Sequence, residues 1–235
     1  MITFIVPAFK KPLSLERLLD SLHQNTHKRY SHVVVVIDDG SDKATMQRKF
    51  PWCQVISTNR IGSGAVGAIW CGYYAAASAG MDDGDIVGVL GDDCEIVTDG
   101  IDELMMEAAE GHCRPTYVLG LNDGIQAGRA HPFMSVDSWR NGLGFWRGYR
   151  HNYCDTETFT LARHYNDWVF VQNGTILHHH EYAKKKGIQV DIIEETQAEG
   201  RTIAQHDAKR YQYRMAWWEV NGKPRMIPED VGYIQ

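Results

Sequence analysis

The chain lacks any apolar run approaching the roughly 20 residues that cross a bilayer, so no membrane segment is expected in it. Paired cysteines are missing too. Cys53, Cys71, Cys94, Cys113 and Cys154 are odd in number, scattered and without a CxxC pair. That spacing excludes a disulfide framework and a zinc knuckle and suits reduced thiols. There is no basic excess: 24 Lys and Arg against 30 Asp and Glu leave a formal net charge of −6. No global field therefore draws the chain to nucleic acid or to an anionic membrane. No basic segment precedes ITFIVP, which follows Met1 directly, so no secretory leader is expected. Internal repeats and low-complexity linkers are also absent. What is present is ordinary for a soluble protein, with 43% hydrophobic and 23% charged residues over 235 positions. That length suits one large domain with a substantial core, or one domain with an appendage.

Residues 1–121 alternate strand and helix patterns. ITFIVP (2–7), VVVVI (33–37), CQVIS (53–57), IVGVL (86–90) and TYVLGL (116–121) read as strands. Leu15, Leu18, Leu19 and Leu22 share one helical face, with Ser14 expected as N-cap. Ala65, Ala68, Ile69, Gly72, Ala75, Ala76 and Ala79 mark a helix whose small residues permit close packing on a sheet. Ile101, Leu104, Met105 and Ala108 line another. This alternation predicts a parallel sheet covered on both faces. From residue 122 the pattern changes to Gly-, Arg- and aromatic-rich segments, with helices expected at 155–165 and 200–218. A strand pair is expected in WVFVQNGTILHHH, turning at Asn173-Gly174.

Two of the strands end in paired carboxylates. VVVVI runs into Asp38 and Asp39, and IVGVL runs into GDDCE, with Asp92 and Asp93. Either pair alone is compatible with simple turn chemistry. Because ligands in open α/β sheets bind beyond the carboxyl ends of the strands, the two together predict a pocket with two acidic clusters. Such a pocket suits a hard divalent cation bridging to phosphate.

The order IVPAFKKPLSLERLLDSL, VVVVIDDGSD, GDIVGVLGDDCEI and CDTETFTLAR resembles the GT-A glycosyltransferases of the large inverting family (family 2-like), which includes cellulose, chitin and hyaluronan synthases. The resemblance covers about residues 1–180 and implies an α/β, GT-A (nucleotide-diphospho-sugar transferase) fold. It implies a mostly parallel central sheet flanked by helices, with residues 1–121 as the nucleotide-sugar half and 122–180 as the acceptor half. Residues 181–235 are then a C-terminal, acceptor-side extension packed on the same domain. By the same resemblance the donor is a nucleotide-diphosphate sugar, most often a UDP-sugar, held with Mn²⁺ or Mg²⁺. Pro7, Ala8 and Phe9 match the loop that flanks the base, and Asp38, with Asp39 beside it, matches the carboxylate that accepts from the base. Asp93 matches the last, metal-binding position of the DXD motif, with Asp92 adjacent. The motif's first acid is Gly91 here, and Trp70 stands where the family often has asparagine. Arg60 is a candidate phosphate contact. Asp155 takes the place of the catalytic aspartate, although Cys154 replaces its usual acidic neighbour, and Glu157 is the reserve candidate. A histidine of the His178-His179-His180 run completes the metal site in several relatives. Strand alternation puts His178 and His180 on one face, and either fits.

The expected reaction is hexosyl or pentosyl transfer to an acceptor hydroxyl with inversion, onto a saccharide or glycoconjugate. The expected location is the cytoplasm, or the host cytoplasm for a viral protein. Three other readings compete. Trp139, Arg140, Phe145, Trp146, Arg147, Tyr149 and Arg150 form either an acceptor wall or core. As a wall they suit an extruded base, so a viral-type enzyme acting on a hydroxylated base of DNA is an alternative. A nucleotidyltransferase shares the paired acids but wants a glycine- and Lys/Arg-rich first turn, which Pro7-Ala8-Phe9 lacks. A non-catalytic nucleotide-sugar-binding module needs no base. GSGAVG (62–67) fits a dinucleotide fingerprint by letter, but it follows the third strand and not the first.

Overall fold

Strands β1 (Ile2–Ala8) and β2 (Ser31–Ile37) are neighbours in the sheet and pair in parallel along their whole length. Phe4, Val6, Val33 and Val35 pack to one side, whereas Ile5, Val34 and Val36 pack to the other. A strand buried on both faces has no reason to alternate with polar residues, which is why VVVVI is continuous. The structure is a computed structural model that describes residues 1–27, 31–58, 64–123, 131–179 and 194–223.

Helix α1 (Pro12–Asn25) follows β1 and buries Leu15, Leu18, Leu19 and Leu22 against the first face. It starts at Pro12, whose missing N–H costs nothing at a first helical position. Ser14 is therefore inside the first turn, not the N-cap. Helix α2 (Lys43–Lys49) leads to β3 (Gln54–Ser57), and α3 (Ala65–Ser78) crosses the second face to β4 (Ile86–Val89). The small residues of α3 do what their size permits. A Cβ at Gly72 would lie 2.5 Å from Ile5 Cγ2 and 3.0 Å from Val36 Cγ2.

The remainder is β5 (Cys94–Ile96), α4 (Ile101–Glu110), β6 (Val118–Asn122) and β7 (Pro132–Ser135). Then come α5 (Val136–Ser138) with a π-turn over Trp139–Leu143, α6 (Cys154–His164), β8 (Trp168–His178) and α7 (Glu194–Asn221). The sheet order is β3-β2-β1-β4-β7-β6-β8-β5. Its first half is parallel, as predicted. β7 lies antiparallel between β4 and β6 and was not legible as a strand.

The expected hairpin at Asn173-Gly174 does not form. β8 is one strand that pairs with β6 through Val171 and again, past an irregularity, at Thr175, and then runs antiparallel to β5 from Ile176. Two successive partners satisfy the backbone of both halves, and this overrides the local turn signal. Helix α7 closes the second face. Its Arg214 and the α6 residue Glu157 are both fully buried and form an ion pair at 2.7 Å, and Trp218 joins the core beside them. Among the described residues no helix is long and apolar enough to cross a membrane.

Candidate active site

β2, β1 and β4 are parallel neighbours, so their C-terminal ends share one edge of the sheet. The tip of β1 lies between the two acidic turns and is bonded to both. The Phe9 N–H donates to Asp92 Oδ2 at 3.1 Å, and the Lys10 N–H donates to Asp39 Oδ2 at 2.7 Å. Consecutive residues of the loop Pro7–Ala8–Phe9–Lys10 thus staple together turns that are more than 50 positions apart in sequence.

The first turn is organised by neutral donors. Asp38 continues the β1–β2 ladder by donating its N–H to Ala8 O at 3.0 Å. Its buried carboxylate accepts from Thr58 Oγ1 at 2.7 Å and from the Gly64 N–H at 2.9 Å. Gly64 caps α3 with φ 84°, and a Cβ there would lie 2.6 Å from the Arg150 carbonyl oxygen. The glycine of GSGAVG therefore starts a helix against the sheet. Asp39 also accepts from the Ser41 N–H at 2.8 Å. Burial opposes its charge, but the hydrogen bonds from Ser41 and Lys10 hold its carboxyl below the usual range.

Charged partners organise the second turn. Lys11 Nζ lies 3.3 Å from Asp92 Oδ1 and 3.1 Å from Asp93 Oδ2. The other oxygen of Asp93 faces His178 Nε2 at 3.3 Å. Burial disfavours the Asp93 charge, yet His178 and Lys11 outweigh it and hold the carboxyl well below the ordinary range. Asp92 goes the other way: burial raises it to about 6 against the pull of Lys11, with the Asp93 charge adding to the rise. His178 reaches this turn because Cys94 and His178 are directly paired across β5 and β8. His179 turns to the opposite face and meets Glu95 Oε2 at 2.8 Å. The donor atoms of Cys94, His131 and His178 lie within 4.8 Å of one another, so together with Asp93 they are the residues able to hold a cation.

Asp155 stands in the first turn of α6, two residues after Tyr153, which adopts a left-handed φ of 67°. It accepts the Thr156 N–H at 2.8 Å. Burial raises its carboxyl to about 6, opposed by the Thr156 N–H and by the positive potential of His178. The loop before it is held from two sides. Val66 donates its N–H to the Arg150 carbonyl at 3.1 Å. Asp207 of α7, fully buried, accepts the N–H groups of Arg150, His151 and Asn152 at 2.9–3.2 Å. Glu157, two residues further on, faces Arg214 instead, and burial pushes its carboxyl up to about 7 against that guanidinium.

The structure thus gathers Pro7, Ala8, Phe9, Asp38, Asp39, Asp92, Asp93 and His178 at one sheet edge, with Asp155 close enough to feel His178. It turns Glu157 into the interior. Arg60 and His180 lie outside the described residues. The aromatic stretch is core: Trp139, Phe145, Trp146 and Tyr149 are each at most 3% exposed. Trp70 belongs with them, donating its indole N–H to the Phe145 carbonyl at 2.8 Å and carrying the Arg147 guanidinium 4.3 Å above its ring. Sequence reasoning missed Lys11, His131, Asp207 and Arg214. Only Lys11 had a usable signal, a lysine pair directly after the first strand. The others meet the site through tertiary contacts alone.

The family profile described as Glycosyl transferase family 2 matches residues 3–165. No match emerges from a search of curated proteins. Among solved structures, TarS of S. aureus superposes with a TM-score of 0.56 at 14% identity, covering 83% of this chain and 41% of TarS. Its 1–349 fragment in complex with UDP gives 0.56 at 15% identity, covering 74% and 59%. The mannosyltransferase PcManGT from Pyrobaculum calidifontis, in complex with GDP-Man and Mn²⁺, gives 0.55 at 15%, covering 75% and 56%. The chain spans about half the length of these structures. At such identities the likeness is one of fold, the GT-A fold, and the profile match covers well over half of the sequence. This chain belongs to glycosyl transferase family 2.

Proposed function

We propose that this chain transfers a sugar from a nucleotide-diphosphate sugar, with UDP as the nucleotide, to an acceptor hydroxyl with inversion. The observation that carries the reading is the β1 tip bonded to both acidic turns, with the partly buried Asp155 carboxylate at the start of α6. In this reading the Asp38–Asp39 turn and Pro7–Phe9 hold the nucleotide. Thr58 and Gly64 orient the Asp38 carboxylate, the group that accepts from the base in this reading. Asp93 and His178 are the residues that would hold a divalent cation, and their donor chemistry, one carboxylate and one imidazole, fits Mn²⁺. Such an ion supplies charge for the departing diphosphate.

Asp155 is the base. The acceptor oxygen bonds to the anomeric carbon as the bond from that carbon to the diphosphate oxygen breaks. The electron pair leaves with the diphosphate, and the acceptor proton passes to Asp155. A carboxyl that titrates near 6 is largely ionised at pH 7 yet more basic than an ordinary aspartate, which suits a general base. UDP in the complexed TarS fragment and GDP-Man with Mn²⁺ in PcManGT support the donor class.

The acceptor in this reading is a saccharide or glycoconjugate. The aromatic residues that motivated a DNA-base acceptor are packed in the interior, so the reading has no stacking platform there. A thermal-shift panel of nucleotide-sugars with and without Mn²⁺ tests the proposal through ligand-linked stabilisation. A UDP-sugar should raise Tm most, and more with Mn²⁺. Absence of a shift with every nucleotide-sugar and metal overturns it. Donor binding with neither transfer nor hydrolysis would leave a binding module.

A further inference from the structure

Beyond Asp93 and His178, two side chains at the second turn have no part in the reading above, Cys94 and His131. Cys94 Sγ and His131 Nε2 are 3.1 Å apart. Both residues are buried, Cys94 completely and His131 to within 7%. Cys94 is cross-strand partner to His178, so their side chains leave the same face of the β5–β8 ladder. The rings of His131 and His178 meet edge to face with centroids 4.9 Å apart. On its other side the His131 ring meets the backbone: the Gly91 N–H donates to Nδ1 at 3.4 Å, and Val89 makes a backbone hydrogen bond to the ring.

Gly91 gives the cluster its second, independent sign. A Cβ at position 91 would lie 2.8 Å from Asp93 Oδ1, 3.4 Å from His131 Cε1 and 3.8 Å from Cys94 Sγ. Any side chain in place of the missing acid would occupy the space where these three groups meet.

We propose that Asp93, His178, His131 and Cys94 form a mixed oxygen, nitrogen and sulfur site that takes a borderline-soft divalent ion such as Zn²⁺, Co²⁺ or Fe²⁺ in preference to Mg²⁺. This deepens the metal assignment of the proposed function and rests on it. Thiolate and imidazole select ions of this class, whereas an all-oxygen set suits Mg²⁺. An ion held at ordinary metal–sulfur and metal–nitrogen lengths keeps its donors about 3.5 Å apart. The present 4.8 Å limit is therefore within modest side-chain rotation of a closed site. The Cys94 thiol gives up its proton to solvent on binding, as a coordinating thiol must.

The test is optical and needs no turnover. The intact chain, stripped with a chelator, is titrated with Co²⁺. The expected result is a near-ultraviolet thiolate-to-cobalt charge-transfer band saturating at one equivalent and erased by Zn²⁺. Cys94→Ser should lose that band while keeping weaker visible cobalt bands, and His131→Gln should weaken cobalt binding at least about tenfold. No charge-transfer band in the unmutated chain, or a band that persists in Cys94→Ser, overturns the proposal. Donor binding by thermal shift, run on the same protein, separates the two failures. A UDP-sugar shift with Mn²⁺ but no cobalt–thiolate band sinks only the sulfur site, whereas no shift with any nucleotide-sugar sinks the transferase reading itself.

Discussion

The two acidic turns look alike in sequence and are built differently. Asp38 and Asp39 are held by a threonine hydroxyl and backbone N–H groups of residues 10, 41 and 64. Asp92 and Asp93 are held chiefly by cationic or ionisable side chains, Lys11 and His178. Backbone donors cannot leave, so the first turn is a rigid cradle. A lysine side chain can leave, so the second turn can exchange one positive charge for another. The same residue type at the same kind of strand end therefore serves shape in one turn and charge in the other.

The hardest blow to this contrast is Asp93→Ala, which removes the carboxylate shared by Lys11 and His178. Turnover should fall to background, and wild-type turnover would refute the cation assignment. Asp155→Asn should come next, lowering kcat by about 10²–10⁴ while donor binding by calorimetry stays unchanged. Its pH signature follows from the raised carboxyl. The base works only when ionised, so kcat in the parent should fall as pH drops through about 6; a profile flat from 5 to 8 would remove Asp155 from the role.

Glu157 supplies an internal control, a carboxylate on the same helix sealed against Arg214. Arg214→Met strands it in the core and should cost about 3–5 kcal/mol of stability by urea unfolding. A loss under about 1 kcal/mol would mean that the pair is not closed. Lys11→Met removes the tethered ammonium from the second turn and should tighten Mn²⁺ binding severalfold in calorimetry; weaker binding would show Lys11 to be a support and not a competitor. Asp39→Asn keeps one acceptor oxygen, so one of the two N–H donors, Lys10 on Oδ2 or Ser41 on Oδ1, loses its partner; donor KM should rise by about tenfold, since losing one such bond costs about 1–3 kcal/mol. A loss as large as that of Asp93→Ala would erase the distinction between the turns.

The strands and their acidic tips were legible because both are local. Continuous β-branched runs announce burial on two faces, and Asp-Gly after such a run marks the strand's end. The Asn173-Gly174 signal was equally local and failed, because β5 offered the second half of β8 a partner that no short window contains. Ser14 failed in a smaller way, as Pro12 made a better first helical residue. The tryptophan and arginine stretch could be read as wall or core, since hydrophobic content says that a residue will be covered but not by what.

By itself, then, the sequence determined most of the elements, the parallel half of the sheet and the carboxylates at its edge, because backbone propensity and apolar periodicity act over a few residues. Tertiary structure alone decided where each acid would stand. It carried His178 to Asp93 through the β5–β8 pairing, set His131 against Cys94 over the space left by Gly91, and used Asp207 and Arg214 of α7 to pin the loop before Asp155 and to withdraw Glu157. Those choices depend on contacts between groups 37 to 85 positions apart. Such contacts exist only once burial has brought the groups together and made each unpaired charge costly.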